Sequence, residues 1–170
     1  MNVTVKTVIY SDIKVRNRAS FFASPVAWAT ANLTQLLINE ESQIDPYHTG
    51  MIVVSDECSL ATINELSDSA SRGSISPLRF AGSSPSIVTG LSALEQGIRG
   101  PTLAFTMPPK NAAIAIIAMI DYWISYNEIT SVIVITHHRR NRGDHILKGL
   151  IARSADKEVR EKIVPLCQIK

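Results

Sequence analysis

The residues best suited to chemistry fall in two stretches and at one isolated thiol. The first stretch, THHRRNRGDH, carries His137, His138, Asp144 and His145. Imidazoles beside a carboxylate serve as metal ligands or general bases when they converge on one point. His137 and His138 are adjacent, so at the end of a strand they face opposite ways. The expectation here is a solvated strand end, with Asp144 capping a following helix and no metal bound. Arg139, Arg140 and Arg142 make the same stretch the main basic cluster, with Arg16 and Arg18 as candidate neighbours. Such a cluster receives acidic or phosphate-bearing partners through charge-assisted hydrogen bonds. Cys58, in Ser55-Asp56-Glu57-Cys58, follows the apolar run Met51 to Val54. Ligands bind at strand ends in doubly wound sheets, which makes Cys58 a candidate nucleophile. Its sequence neighbours Asp56 and Glu57 favour the neutral thiol, however, and no histidine is close in sequence, so a structural role is expected. Cys58 and Cys167 have no zinc-like spacing. Gly82-Ser83-Ser84 lacks the Gly-Lys-Ser of a phosphate loop.

The second stretch is RGPTLAFTMPPKNA, Arg99 to Ala112. Thr102, Leu103, Ala104, Phe105 and Thr106 read as a short strand. Pro108 and Pro109 then stand where a long apolar helix begins. A helix N-terminus favours anions and thiolates through its free N–H groups. Proline has no nucleophile to offer and no N–H to give, yet it fits the first turn, where that N–H has no helical partner. Thr106 or Met107 would be the cap. The two prolines thus suit a helix start and place no nucleophilic side chain there. Lys110 could hold an anion and Asn111 donate a hydrogen bond, although surface or cap roles are the simpler expectation.

The elements that must position these residues alternate along the chain. Val3, Val5 and Val8 begin a strand, and Ser24-Pro25 opens a helix to Ile38. Met51 to Val54 and Val132 to Ile135 are continuous apolar runs, as in strands buried on both faces. Leu60 to Ser71 suggests a helix, Ser74 to Ser84 a loop, and Ser84-Pro85 a helix to Gln96 stopped by Gly97. Pro108 to Tyr126 is apolar nearly all round and should be buried on most sides. A helix is expected from Asp144 to about Ser154, and Glu158 to Lys170 is left unassigned. Alternation of this kind predicts a layered α/β domain.

The bulk composition agrees. The chain has 170 residues, 45% hydrophobic and 19% charged, which suits one domain with one core. A net charge of +2 is too small to suggest nucleic acid as a partner. The most apolar run, Ala112 to Ile120, is closed by Asp121 and falls short of the ~20 residues of a membrane span. No secretory signal is visible at the N-terminus, so a cytoplasmic protein is expected.

Three segments in order, Ser76-Pro77-Leu78-Arg79-Phe80, Ser84 to Leu91, and Gly97-Ile98-Arg99-Gly100-Pro101-Thr102-Leu103, resemble the N-terminal half of β-ketoacyl synthases of thiolase fold. The resemblance runs from about Arg16 to Thr136. It implies an α/β fold that is half of a thiolase-like fold, layered, with a mixed sheet and a buried central helix. It places Pro109 at the position of the family's nucleophilic cysteine, so no catalytic residue is expected there. It makes Thr102 to Thr106 the strand that pairs across the family's two-fold axis. The family's two histidines lie in a C-terminal half that has no counterpart here, and residues 1–170 are expected to be a single truncated ketosynthase-like domain. The resemblance is to non-catalytic chain-length-factor subunits of polyketide or fatty-acid-type biosynthesis. It implies a homodimer or a heterodimer with a full-length ketosynthase, an acyl carrier protein docking on Arg139, Arg140 and Arg142, and no cofactor. The alternative is an enzyme that has repurposed the fold for acyl transfer or hydrolysis through Cys58 or the histidine group.

Overall fold

Ser24 ends an extended stretch, and its hydroxyl accepts the Ala27 N–H at 3.2 Å, opening α1 (Pro25–Glu40) with proline in the first turn. The computed structural model describes residues 3–11, 13–18, 22–41, 44–126, 129–140 and 143–169. β1 (Lys6–Tyr10) precedes α1, and β2 (Thr49–Val54) follows it with every residue buried. Then come α2 (Leu60–Ser71), α3 (Pro77–Ala81), α4 (Ile87–Gln96) and β3 (Thr102–Phe105). α4 stops at Gly97, whose φ of 68° is the left-handed conformation that glycine adopts without strain. α5 (Ala113–Tyr126), β4 (Ser131–Arg139), β5 (His145–Ala152) and α6 (Lys157–Leu166) complete the order.

The strands form one mixed sheet in the order β1-β5-β4-β2-β3. β2 pairs in parallel with both β3 and β4, while β5 is antiparallel to β4 and to β1. Period-two alternation splits the core between the two faces. Met51, Val53, Ile133, Ile135, Leu147 and Ile151 face α1 and α4. Ile52, Val54, Val132, Val134 and Leu150 face α5 and α6. The β2-to-β3 crossover therefore runs over one face and the β3-to-β4 crossover over the other. Right-handed connections require this when the strand order reverses. The carboxyl ends of β2 and β3 flank that reversal, where open α/β sheets bind ligands.

Several expectations need correction. The helix expected from Asp144 to Ser154 is the strand β5, paired along its length with β4. Ile146, Leu147, Leu150 and Ile151 recur at a helical spacing, but they serve a strand buried on both faces. Gly149 lets α1 lie close, since a Cβ there would sit 2.8 Å from Leu37 Cδ1. Asp144 therefore caps no helix; its carbonyl accepts the Arg140 N–H at 2.9 Å in the hairpin. The loop expected over Ser74 to Ser84 contains α3, capped by Ser76. The helix expected from Pro108 splits into a 3-10 turn, Pro109–Asn111, and α5. Pro108, not Thr106 or Met107, is the residue before that turn. α5 buries Ile116, Ile120 and Trp123 on one face, while Ile114 is 84% and Tyr126 77% exposed. It is thus half covered in this chain rather than buried on most sides. The unassigned C-terminal stretch forms α6, where Asp156 accepts the Val159 N–H at 3.0 Å.

Candidate functional site

Loops leaving the carboxyl ends of the parallel strands enclose a cleft of about 590 Å³. Asp56 and Glu57 line it from the loop after β2, and Pro108, Pro109 and Lys110 from the turn after β3. His138 and Arg139 close it from the end of β4, and Cys167, Gln168 and Ile169 from beyond α6. Pro109 is buried and opens the turn that leads into α5. The sequence-expected blank position thus lies in the wall of the cleft at the switch point of the sheet.

His138 shares the sheet face of α6. Its Nε2–H donates to the Leu166 carbonyl at 3.0 Å, with Thr136 Oγ1 also 3.0 Å away, and the Thr136 hydroxyl donates to the same carbonyl at 2.8 Å. Burial holds the His138 pKa below the ordinary imidazole value, only partly offset by that carbonyl. It is a neutral, anchored ring rather than a solvated one, which corrects the expected strand end.

His137 faces the other side, as adjacent strand residues must, and is fully buried. Ser55 Oγ accepts the N–H groups of Glu57 at 3.1 Å and Cys58 at 2.9 Å. Its own proton is therefore free for His137 Nδ1, 2.8 Å away. The proton of neutral His137 then sits on Nε2 and is donated to His145 Nδ1 at 2.8 Å. The two rings stack with centroids 5.1 Å apart. Burial, and next the neighbouring His145, lower the His137 pKa to about 3. Burial also lowers that of His145. Arg139 donates to Glu57 Oε1 at 2.9 Å, which brings the carboxylate to the same strand ends. Glu57, His137 and His145 each place one ligand-type atom within 4.8 Å of the others.

Both thiols are free and buried. Cys58 is buried, its Sγ 3.1 Å from the Ser55 carbonyl, and burial raises its pKa. Cys58 also has a φ of 39°, in the left-handed region non-glycine residues seldom occupy. Burial pushes the Cys167 thiol up to about 11. The basic cluster is divided: Arg139 is spent on Glu57, Arg140 is exposed, and Arg142 lies outside the described residues. Arg16 pairs with Glu95 at 3.2 Å and stacks over Trp28. Thr102 and Thr106 are exposed, and Leu103, Ala104 and Phe105 half-buried, in and just after the sheet-edge strand β3. Ser55, Glu57 and the cleft role of Cys167 were missed from sequence. The pairing of Val54 with Thr136 is the register that brings the β2 loop to the histidines.

The strand order, the crossovers on opposite faces and the strand-end cleft define a thiolase-like mixed α/β arrangement, the fold of ketosynthases and chain length factors. One similar solved structure is a ketosynthase (ApeO) in complex with its chain length factor (ApeC) from Xenorhabdus doucetiae. It has TM-score 0.62 at 10% identity, over 87% of this chain and 71% of that one. The ishigamide ketosynthase/chain length factor is also similar, with TM-score 0.61 at 13% identity, over 82% of this chain and 47% of that one. The chain thus spans about half the length of the second. No protein-family model matches, and no curated protein matches by sequence. Among the described residues no helix is long and apolar enough to cross a membrane.

Proposed function

We propose that this chain is a non-catalytic, chain-length-factor-like subunit that pairs with a ketosynthase in polyketide or fatty-acid-type biosynthesis. The observation that carries the reading is Pro109. An imino acid opens the helical turn at the switch-point cleft, where a condensing enzyme of this fold needs a nucleophile backed by free N–H groups. The raised thiol pKa values of Cys58 and Cys167 argue against a relocated nucleophile. Two surfaces suit a partner. The first is the outer edge of β3, with which no strand pairs among the described residues. The second is the outer face of α5, where Ile114, Tyr122 and Tyr126 are exposed. Lys110, at the cleft, and Arg140 provide positive charge for an acidic carrier protein.

The test is co-expression with the ketosynthase of the same host, followed by incubation with acylated carrier protein. The expected result is a one-to-one complex in which acyl groups load the ketosynthase alone. An acyl adduct on this chain that disappears in Cys58→Ala would instead establish the repurposed-enzyme alternative.

A further inference from the structure

We propose that Glu57, His137 and His145 form a binding site for one divalent d-block cation of the zinc class, independent of the partner reading above. The donors come from three neighbouring strands or strand ends. β4 and β5 pair Arg139 with His145 and His137 with Leu147, so the two histidines are diagonal neighbours on one sheet face. Glu57 arrives from the loop after β2, which lies parallel to β4. Donors around one tetrahedral zinc-class ion lie about 3–3.5 Å apart, given metal–nitrogen and metal–oxygen bonds of about 2.0–2.2 Å. The two ring nitrogens stand 2.8 Å apart and all three donors fall within 4.8 Å, so small side-chain rotations suffice.

The donor chemistry selects the ion. Two imidazoles with one carboxylate suit zinc, nickel, copper or cobalt, whereas magnesium and calcium prefer oxygen alone. Outer contacts of the kind that orient ligands are in place. Ser55 Oγ sits on His137 Nδ1, and Arg139 binds Glu57 Oε1, leaving Oε2 available. Asp56 and Asp144 act electrostatically on the rings and offset the Arg139 charge. On binding, the His137 proton moves from Nε2 to Nδ1, and the freed Nε2 lone pair meets the metal. Ser55 Oγ accepts that proton in place of the longer of its two backbone bonds, the one from Glu57 N–H at 3.1 Å, as Glu57 shifts to become a ligand. His145 already presents Nδ1 as an acceptor. Three protein donors leave a fourth position for water, beside the cleft that Glu57 also lines.

The test uses the tag-free 170-residue chain stripped with chelator, titrated with Zn²⁺ by calorimetry and with Co²⁺ by visible absorption. One equivalent should bind with a dissociation constant below about 10 µM. Glu57→Gln and His145→Ala should each weaken binding about tenfold or more, as losing a ligand contact does. Both residues are only half-buried, so the fold should survive, checked by circular dichroism. His48→Ala, which breaks the exposed Asp45–His48 pair, should change nothing. Binding weaker than about 10 µM, or binding that survives either ligand substitution, overturns the proposal.

Discussion

Ala104→Pro separates the role of the β3 edge from the stability of the chain. Met51 N–H donates to the Pro101 carbonyl at 2.9 Å, and Ser55 N–H to the Phe105 carbonyl at 3.0 Å. The alternation of a parallel ladder then turns the N–H and C=O of Leu103 toward β2. The corresponding groups of Thr102, Ala104 and Thr106 point out from the sheet. Proline at Ala104 removes an N–H that this chain does not use, and proline is tolerated at such edge positions. The cost to the isolated chain should be about 1 kcal/mol or less. In a complex that extends the sheet, the partner loses one hydrogen bond, worth about 0.5–1.5 kcal/mol, and keeps an unsatisfied carbonyl costing about 1–3 kcal/mol. Together these weaken association by about 2–4 kcal/mol, roughly 30- to 1000-fold. Leu103→Pro is the contrast. It breaks the β2 ladder and should destabilise the chain by about 3 kcal/mol. Urea unfolding gives the first quantity and titration with a ketosynthase the second. An Ala104→Pro chain as unstable as Leu103→Pro, or one that binds with unchanged affinity, would refute the edge-pairing argument.

Further expectations follow from burial and close approach. Ile114→Glu should leave the urea midpoint within about 0.5 kcal/mol of the parent, because Ile114 is 84% exposed, while weakening ketosynthase binding. Intact binding would remove the outer face of α5 from the interface. Gly100→Ala should destabilise the chain by about 1–3 kcal/mol or more, seen as a lowered melting temperature, since its Cβ would lie 2.3 Å from the Thr49 carbonyl oxygen. An unchanged melting temperature would refute that close approach. A raised thiol pKa means less thiolate at any given pH. Cys167, held at about 11, should therefore alkylate faster with each pH unit through pH 10 without a plateau. A plateau near pH 9 in the folded chain would contradict the burial of that thiol.

Much of the layered arrangement was legible because its signals are local. Ser24-Pro25 marks α1, and the unbroken apolar runs of β2 and β4 mark strands buried on both faces. β5 was not legible, because Ile146, Leu147, Leu150 and Ile151 satisfy a helical stripe and a two-faced strand equally well. The pairing of β4 with β5 decides between them, and pairing is a long-range property. The same misreading hid the imidazole cluster. His137 and His145 meet only across that hairpin, and Glu57 joins them through the β2–β4 register. The turn at Pro109 was legible because proline suits a first helical turn. The half-exposure of α5 was not, since an apolar sequence reports that a face needs cover without saying which molecule supplies it.

Native mass spectrometry of this chain co-expressed with the ketosynthase of its own host tests the partner-subunit account most directly. The account predicts a dominant one-to-one heterodimer that Ala104→Pro shifts to free subunits. A parent chain that stays free of the ketosynthase, or a heterodimer untouched by the edge substitution, would contradict it.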